Sequence, residues 1–87
     1  MYNLSFAPSA WEEYTSWGET DKKTFRRINA LIKDIQRNGF LTGIGHPEKL
    51  KYSTEYSRHI NDFDRLIYEG EENVNLLIVS CKGHYGD

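Results

Sequence analysis

The sequence predicts a small α+β domain in which a helical hairpin packs against one face of an antiparallel sheet. Two observations predict this class. Apolar residues recur at three- and four-residue spacing in one long segment of the first half, and three short apolar segments follow in the second half, separated by turn-length polar connectors. The 87 residues are expected to form one domain, 1–87, because a domain usually has roughly 100 to 150 residues.

The chain is predicted to begin with one strand and a first helix. The segment YNLSF alternates apolar and polar residues, which is typical of a strand. In the following PSAWEEYTSWG, Ser9 and Glu12 match a capping box, and Gly18 is expected to end the helix. Trp11 and Tyr14 share one helix face and are expected to pack in the core.

The segment TDKKTFRRINALIKDIQRNGF is the strongest helix signal. Thr20 or Asp21 is expected to cap it, and Gly39 is expected to end it. One apolar stripe runs along it, formed by Phe25, Ile28, Leu31, Ile32 and Ile35. Most of its basic residues fall on the opposite side, so the helix should present bases to water.

The second half is predicted to hold a long loop and three strands. Gly, Pro and Ser content marks LTGIGHPEKLKYSTEYS as a loop, and a loop of this length in a small domain is often functional. The segments YSRHIN, RLIYEG and VNLLIVSC then predict an antiparallel three-stranded meander. The expected element order is β-α-α-β-β-β.

Charge is segregated along the chain although the formal net charge is only −2. Residues 22–51 carry eight bases against two acids, whereas the segments on either side are acidic. Such a basic segment can attract phosphate groups locally, and it is equally compatible with an ordinary solvated helix face.

Several function classes are excluded by what the sequence lacks. No apolar run approaches the ~20 residues that cross a bilayer, and the N-terminus does not resemble a signal peptide, so we expect a cytoplasmic protein without a membrane partner. Cys81 ends an apolar segment and is expected to be a buried hydrophobic residue. The histidines lack the spacing of a zinc site, and no nucleotide-binding motif occurs, so no metal or cofactor is expected.

Scattered polar residues remain, and their types suit the cleavage of RNA. RNA supplies its own nucleophile, the 2′-hydroxyl, so an enzyme needs only a general base, a general acid and fixed cations near the scissile phosphate. A carboxylate, a histidine and an arginine are sufficient. The residues that the fold could bring together for this are Glu48, Lys51, Arg58, His59, Arg65, His84 and Tyr85.

The segments WEEYTSW, TDKKTFRRINALIKDIQRNGF, GIGHPEKLK, YSRHINDFDRLIY and SCKGHY together resemble the YoeB/Txe toxin family of the RelE/ParE superfamily, in register from about Phe6 to Tyr85. The resemblance implies a RelE/ParE-like fold of the microbial RNase type. It also implies a toxin of a bacterial type II toxin–antitoxin module that enters the ribosomal A site and cuts messenger RNA there. A YefM-type antitoxin would neutralise the toxin, and a homodimer is compatible with the family.

The resemblance also implies a role for individual residues. Glu48 would be the general base and His84 the general acid, while Arg65 would be the cation on the scissile phosphate. Lys51 would assist Arg65 in binding the substrate, and Tyr85 would stack on or orient a nucleotide. The basic second helix would contact ribosomal RNA through Lys22, Lys23, Arg26 and Arg27.

The chain departs from the family pattern near these residues. His59 stands where the family usually has a second arginine, and it would make either a weaker phosphate contact or an additional proton carrier, because imidazole is mostly neutral at cytosolic pH. Lys49 replaces a proline, which would loosen the loop that carries Glu48. Gly83 replaces a common aromatic residue, and Gly86 and Asp87 extend the chain beyond the tyrosine.

The sequence therefore leads to a ribosome-dependent messenger-RNA endoribonuclease that works without metal. Two alternatives stay open. A ParE-like relative would share the scaffold and bind a topoisomerase without catalysis, and a weakened nuclease would act mainly through its antitoxin. The combination of Glu48, Arg65 and His84 favours the enzyme, because a pure binding protein has no need for it.

Overall fold

The polypeptide runs from one strand through two helices to four further strands in the computed structural model, which describes residues 2–83. The elements are β1 (Asn3–Phe6), α1 (Pro8–Thr20), α2 (Lys22–Asn38), β2 (Glu48–Lys49), β3 (Tyr56–His59), β4 (Arg65–Glu71) and β5 (Asn75–Ser80). Within these described residues, no helix is both long enough and apolar enough to span a bilayer.

The strands form one sheet in the order β1-β5-β4-β3-β2. The predicted meander of β3, β4 and β5 is confirmed, and β1 joins β5 in parallel because the helical hairpin carries the chain back across the sheet. Strand β2 was not predicted, since the sequence reading placed Glu48 and Lys49 in a loop. Two residues are too few to show a strand period, and they become a strand only by pairing with Ser57 and Tyr56 of β3.

Helix α1 begins and ends differently from the prediction. It starts at Pro8, which is tolerated because the first helical residues have no intrahelical partner for their N–H groups. No side chain caps the helix, so the predicted capping box of Ser9 and Glu12 is wrong. The helix also continues through Gly18 to Thr20. A Cβ at Gly18 would lie 3.2 Å from the Phe25 ring, so glycine lets the two helices approach closely.

Helix α2 has the predicted boundaries. The Asp21 carboxylate accepts hydrogen bonds from the Thr24 backbone N–H at 3.1 Å and from the Thr24 hydroxyl at 2.8 Å, which caps the helix start. Gly39 ends the helix with a φ of 95°, a value that favours glycine.

The core lies between α2 and the sheet, as the apolar stripe predicted. Its buried members on α2 are Ile28, Leu31, Ile32 and Ile35, and they belong to one cluster with Leu66, Tyr68, Leu76 and Ile78 of the sheet. Trp11 is an exception, because 51% of its surface is exposed and its predicted place in the core is wrong. Tyr14 is half-buried and donates a hydrogen bond from its hydroxyl to Asn29 Oδ1 at 2.6 Å.

Arg58 is fully buried on the helix-facing side of β3. Its guanidinium has five N–H donors. They reach the Tyr68 hydroxyl (3.0 Å), Asp34 Oδ2 (2.6 Å) and the backbone carbonyls of Ile44 (3.0 Å), Gly39 (2.8 Å) and Thr42 (2.9 Å). Every donor therefore has a partner, and three partners are carbonyls of the segment 39–44, which is held against the sheet as a result.

Asp34 completes this arrangement from α2. Its carboxylate forms the ion pair with Arg58 and also accepts a hydrogen bond from the Ile44 N–H at 3.0 Å. A Cβ at Gly43, where φ is 128°, would collide with the same carboxylate, so glycine is needed there. Burial acts to raise the pKa of Asp34, but hydrogen bonds from Arg58, Ile44 and Asn38 outweigh it and leave the pKa below the ordinary value of 3.8.

We predict that Asp34→Asn lowers the free energy of unfolding by about 3 kcal/mol near neutral pH, because Arg58 would keep a buried charge without its counter-charge. A carboxylate with a lowered folded-state pKa stabilises above 3.8, and this contribution is lost as the pH falls through the folded-state value. The difference between the two proteins should therefore shrink in acid. This difference is measured by urea unfolding at about pH 7 and about pH 2.5, with the fluorescence of the half-buried Trp17 as the signal.

The control for this prediction is Asp62→Asn, which makes the same chemical change at an exposed aspartate. Its unfolding free energy should stay within about 0.5 kcal/mol of the wild type. An equal loss in both variants, or a loss in Asp34→Asn that does not depend on pH, would contradict the role given to the ion pair.

Candidate functional site

The register of the sheet places three predicted site residues on one face. Glu48 pairs with Ser57, and His59 pairs with Arg65. Because directly paired residues share a face and side chains alternate along a strand, Glu48, Ser57, His59 and Arg65 all project from the same side. Tyr68, a member of the core, is on the opposite side. The predicted residues therefore lie on the face of the sheet away from the helices.

A groove of about 440 Å³ opens on this face. Its lining residues are His46, Pro47, Glu48 and His59. Glu48 is exposed and His59 is half-buried, so both lie within reach of a ligand in solution. The groove is shallow, and it suits part of an extended polymer better than an enclosed small molecule.

Backbone contacts fix His59 from two directions. Its N–H donates to the Gly45 carbonyl at 2.7 Å, and its carbonyl accepts from Arg27 Nη2 at 3.1 Å. The first contact joins the long loop to β3, and the second joins α2 to the end of the same strand. The groove wall is thereby attached to both of the elements that flank it.

His46 was quoted in the loop motif but was given no role by the sequence. Its imidazole lies with its centroid 5.3 Å from that of His59, at an interplanar angle of 48°. Its backbone has a φ of 53°, a left-handed value that is uncommon for a residue other than glycine. A lone histidine in a loop gives no signal of this contact, because the contact depends on how the segment 39–44 closes around Arg58.

Arg65 is held at the start of β4 by the preceding turn. Its Nη1 donates to the Asn61 carbonyl at 2.9 Å and to the Asp64 carbonyl at 3.2 Å. The Asn61 side chain in turn accepts the N–H groups of Phe63 and Asp64, each at 2.7 Å. The guanidinium is therefore placed by its own turn, half-exposed on the same face as Glu48.

The end of the described chain is attached to this turn. The Arg65 N–H donates to the Gly83 carbonyl at 3.0 Å, and the Gly83 N–H donates to Asp64 Oδ1 at 2.8 Å. The predicted general acid His84 and the predicted nucleotide contact Tyr85 follow directly in the sequence and lie outside the described residues, as do the extending Gly86 and Asp87.

Two lysines near Glu48 are arranged differently. Lys51 is exposed in the turn after β2 and does not line the groove. Lys49 projects to the opposite face from Glu48, where its ammonium contacts the Ser53 carbonyl and lies 5.8 Å from the centre of the Tyr56 ring. These contacts hold Lys49 to its own segment, and the effect of Lys49 on the looseness of the loop stays a prediction.

The four basic residues of α2 that were predicted to contact the ribosome differ in their exposure to solvent. Lys22, Lys23 and Arg26 are exposed, and Lys22 Nζ also donates to the Gly18 carbonyl at 3.1 Å. Arg27 is half-buried and supports His59 through its carbonyl, so its guanidinium belongs to the framework of the groove.

Arg58 is removed from the set of possible site residues. The sequence placed it beside His59 in the same hairpin, but adjacent strand residues face opposite ways, and Arg58 is buried with all of its donors satisfied. It cannot contact a substrate without dismantling the fold around it.

Cys81 is buried, as predicted. Burial raises the pKa of its thiol to about 12, and the carboxylates of Glu13 and Asp64 contribute to the rise. The thiolate, which is the reactive form, is scarce at neutral pH, so this cysteine is not a nucleophile. Among residues 2–83, no three His, Cys, Asp or Glu side chains are grouped in a way that could hold a metal ion.

Solved structures define the class of protein that has this fold. YoeB of Staphylococcus aureus, in a heterotetrameric YoeB–YefM complex, matches with a TM-score of 0.88 and 47% identity, covering 98% of this chain and 99% of that chain. The YoeB dimer of the same organism matches with a TM-score of 0.90 and 46% identity over 97% of this chain and 98% of that chain. The protein is thus an α+β toxin with the RelE/ParE-like fold.

Sequence comparisons identify the family. A sequence model described as the YoeB-like toxin of bacterial type II toxin–antitoxin systems matches residues 6–85. Toxin YoeB of Streptomyces coelicolor is 43% identical over 84 residues, which cover 94% of this chain and 98% of that protein. Toxin YoeB of Escherichia coli is 40% identical over the same shares. The chain belongs to the YoeB family of type II toxin–antitoxin toxins, which confirms the resemblance seen in its motifs.

We predict that the thiol of Cys81 in the native protein reacts with Ellman's reagent at least about a hundredfold more slowly than in urea, because it is buried and its pKa is about 12. The absorbance of the released thionitrobenzoate measures the rate. Ser16→Cys is the control, since Ser16 is exposed on α1 and a cysteine there should react at an ordinary rate. Equal rates for the two thiols would contradict the assignment.

Proposed function

We propose that this toxin is a ribosome-dependent messenger-RNA endoribonuclease that needs no metal. The observation that carries the proposal is the shared face of the sheet: a carboxylate, Glu48, and a cation, Arg65, project from it beside an open groove. Among the described residues, those that line the groove include no serine, threonine or cysteine that could act as a nucleophile, and RNA provides a nucleophile in its 2′-hydroxyl.

The reaction is an attack of the 2′-oxygen on the adjacent phosphorus. Glu48 takes the proton of the 2′-hydroxyl as a new O2′–P bond forms, and Arg65 balances the negative charge that develops on the phosphoryl oxygens. His84 gives a proton to the 5′-oxygen as the P–O5′ bond breaks. The products are a 2′,3′-cyclic phosphate and a 5′-hydroxyl, so no oxidant, metal or cofactor enters the balance.

Lys51, His59 and Tyr85 complete the proposed substrate contacts. Of these three residues, His59 has the strongest structural support as a substrate contact, because it lines the groove next to Glu48 and pairs across the strands with Arg65. Lys51 is exposed, and its long flexible side chain would let the ammonium contact an RNA phosphate near Glu48. Tyr85 would stack on a base, as aromatic side chains commonly do with single-stranded RNA.

The ribosome enters the proposal because the groove is too shallow to orient RNA alone. Positioning the 2′-oxygen in line with the leaving oxygen supplies a large part of the rate of such a reaction, and a ribosome-bound codon arrives already positioned. The exposed bases of α2, Lys22, Lys23 and Arg26, would contact ribosomal RNA phosphates.

Two partners are proposed from relatives. The S. aureus YoeB structures are a complex with YefM and a YoeB dimer, so we propose a YefM-type antitoxin and a homodimer for this chain as well. Their identities to this chain, 47% and 46%, support the transfer. A toxin that acts on ribosomes would work in the cytoplasm.

We predict that Glu48→Gln and His84→Ala each reduce cleavage by roughly 10²- to 10⁴-fold, the usual contribution of a general base or acid. The measurement maps new 5′ ends of a messenger in a purified translation system, with and without ribosomes. Wild-type cuts should fall in the A site and require the ribosome. Glu19→Gln, which changes an exposed glutamate on α1, should cut normally.

Two outcomes of that assay would overturn the proposal. Undiminished cutting by Glu48→Gln would remove the assigned base. An uncut messenger, together with inhibition of a purified topoisomerase, would favour the ParE-like binding protein. Cutting that is real but weak in the wild type and strengthened by His59→Arg would instead identify the weakened nuclease, because arginine restores a permanent charge at that position.

We predict that changing Lys22, Lys23 and Arg26 together to Ala weakens ribosome binding and lowers the slope of log Kd against log salt concentration by about two to three, since each phosphate contact contributes roughly 0.7 to 0.9. Arg27 stays unchanged because it supports His59. Sedimentation with ribosomes over a salt series measures this. Lys33→Ala with Arg37→Ala, two other exposed bases of α2, is the control, and an equal change there would reject a specific surface.

A further inference from the structure

We propose that Asp64 is a positioning residue for the general acid His84, because its carboxylate holds the backbone of Gly83, the residue directly before that histidine. The inference rests on the proposed function and adds to it a residue of the turn between β3 and β4. Two features carry it: the contacts that hold the segment 81–83 at each end, and the contacts that fix Asp64 in its turn.

The segment 81–83 is held at its start by α1. The Cys81 N–H donates to Glu13 Oε1 at 2.8 Å, and the Cys81 carbonyl accepts from Trp17 Nε1 at 2.9 Å. Cys81 is itself fully buried. The direction in which the chain leaves β5 is therefore set by its packing against α1.

The other end of the segment is held by the β3–β4 turn. The Gly83 N–H donates to Asp64 Oδ1 at 2.8 Å, and the Gly83 carbonyl accepts from the Arg65 N–H at 3.0 Å. Gly83 has a φ of 89°, a left-handed value that favours glycine. The two contacts therefore depend on a backbone conformation that other residues rarely adopt.

Asp64 is in turn fixed by its neighbours. Its second carboxylate oxygen, Oδ2, accepts from Asn61 Nδ2 at 3.1 Å, and its N–H donates to Asn61 Oδ1 at 2.7 Å. Its carbonyl accepts from the Ile60 N–H at 3.0 Å and from Arg65 Nη1 at 3.2 Å. Both carboxylate oxygens thus have a partner, and the carboxylate cannot rotate away from Gly83 without losing its hydrogen bond to Asn61.

Covalent geometry extends this constraint to His84. Consecutive Cα atoms are about 3.8 Å apart, so the placement of Gly83 limits the region that the imidazole of His84 can reach. Gly83 is hydrogen-bonded to the backbone of Arg65, the proposed cation on the scissile phosphate, so this region adjoins that phosphate. A general acid must lie within hydrogen-bonding reach of the leaving 5′-oxygen, and a displacement of about 1 Å can cost about 10²-fold in rate. Asp64 would thus contribute to the rate without touching the RNA.

The test compares two messengers in the purified translation system, with single-turnover kinetics at saturating toxin. One messenger has the natural oxygen at the scissile 5′ position, and the other has sulfur there, so that a thiolate leaves as the P–S bond breaks. A thiol has a pKa of about 8.5, far below that of an alcohol, so the sulfur leaving group needs no general acid.

The two messengers should respond differently to the loss of Asp64. On the natural messenger, Asp64→Ala should slow cleavage by roughly 10- to 100-fold, because the acid is displaced. On the sulfur messenger, Asp64→Ala and His84→Ala should both cut within about threefold of the wild-type rate, because no proton has to be given to the leaving group. Glu48→Gln should stay slow on both messengers, since each still needs the base.

Three further variants separate the hydrogen bond from other effects. Asp64→Asn keeps an oxygen that can accept from the Gly83 N–H, so it should cut the natural messenger at close to the wild-type rate. Gly83→Ala disturbs the same contact from the other side: its Cβ would meet no atom within 4 Å, and only the φ of 89° opposes it. It should therefore fold and behave as Asp64→Ala does on both messengers. Asp62→Ala, which removes an exposed carboxylate from the same turn, should cut like the wild type, and the urea midpoint of each variant shows whether it is folded.

Several results would overturn the inference while leaving the nuclease in place. One is slow cutting of the sulfur messenger by Asp64→Ala, because the loss would then arise at Arg65 or in the groove. The others are wild-type cutting of the natural messenger by both Asp64→Ala and Gly83→Ala, and an Asp64→Asn variant as slow as Asp64→Ala. A wild-type toxin that cuts neither messenger would instead reject the proposed function, and the role of Asp64 with it.

Discussion

The buried guanidinium of Arg58 is the constraint on which the rest of this structure depends. A charge in a protein interior is tolerated only when it is paired and all of its donors are satisfied, and Arg58 obtains its partners from α2, β4 and the loop between α2 and β2. Three loop carbonyls must converge on one planar group, which leaves the segment 39–44 little freedom. Its direction then sets where His46 lies and where Glu48 enters the sheet.

Side chains alternate between the two faces of β3, so Arg58 and His59 have different roles although they are neighbours in the sequence. Arg58 projects to the helix side and organises the loop, while its neighbour His59 projects to the open side and lines the groove. The open face holds the Glu48 carboxylate and the Arg65 guanidinium beside a shallow groove, and under the proposed function the ribosome would orient the RNA.

Periodicity predicted the elements that are long enough to show a period. The α2 stripe, its Asp21 cap and the meander are confirmed. The strand of Glu48 and Lys49 could not be predicted, because two residues become a strand only through pairing. Which of Arg58 and His59 faces the groove depends on register, and the approach of His46 depends on loop closure. Family motifs pointed to the groove residues, but only the packing distinguished Arg58 from them and added His46.

The most direct test of this account is a cryo-electron microscopy structure of the toxin on a ribosome whose A-site codon carries 2′-O-methyl riboses. The scissile phosphate should lie on the face of the sheet away from the helices, with the Glu48 carboxylate within about 3 Å of the 2′-oxygen and the Arg65 guanidinium on the phosphoryl oxygens. Messenger RNA bound to another surface, with this groove empty in the A site, would contradict it.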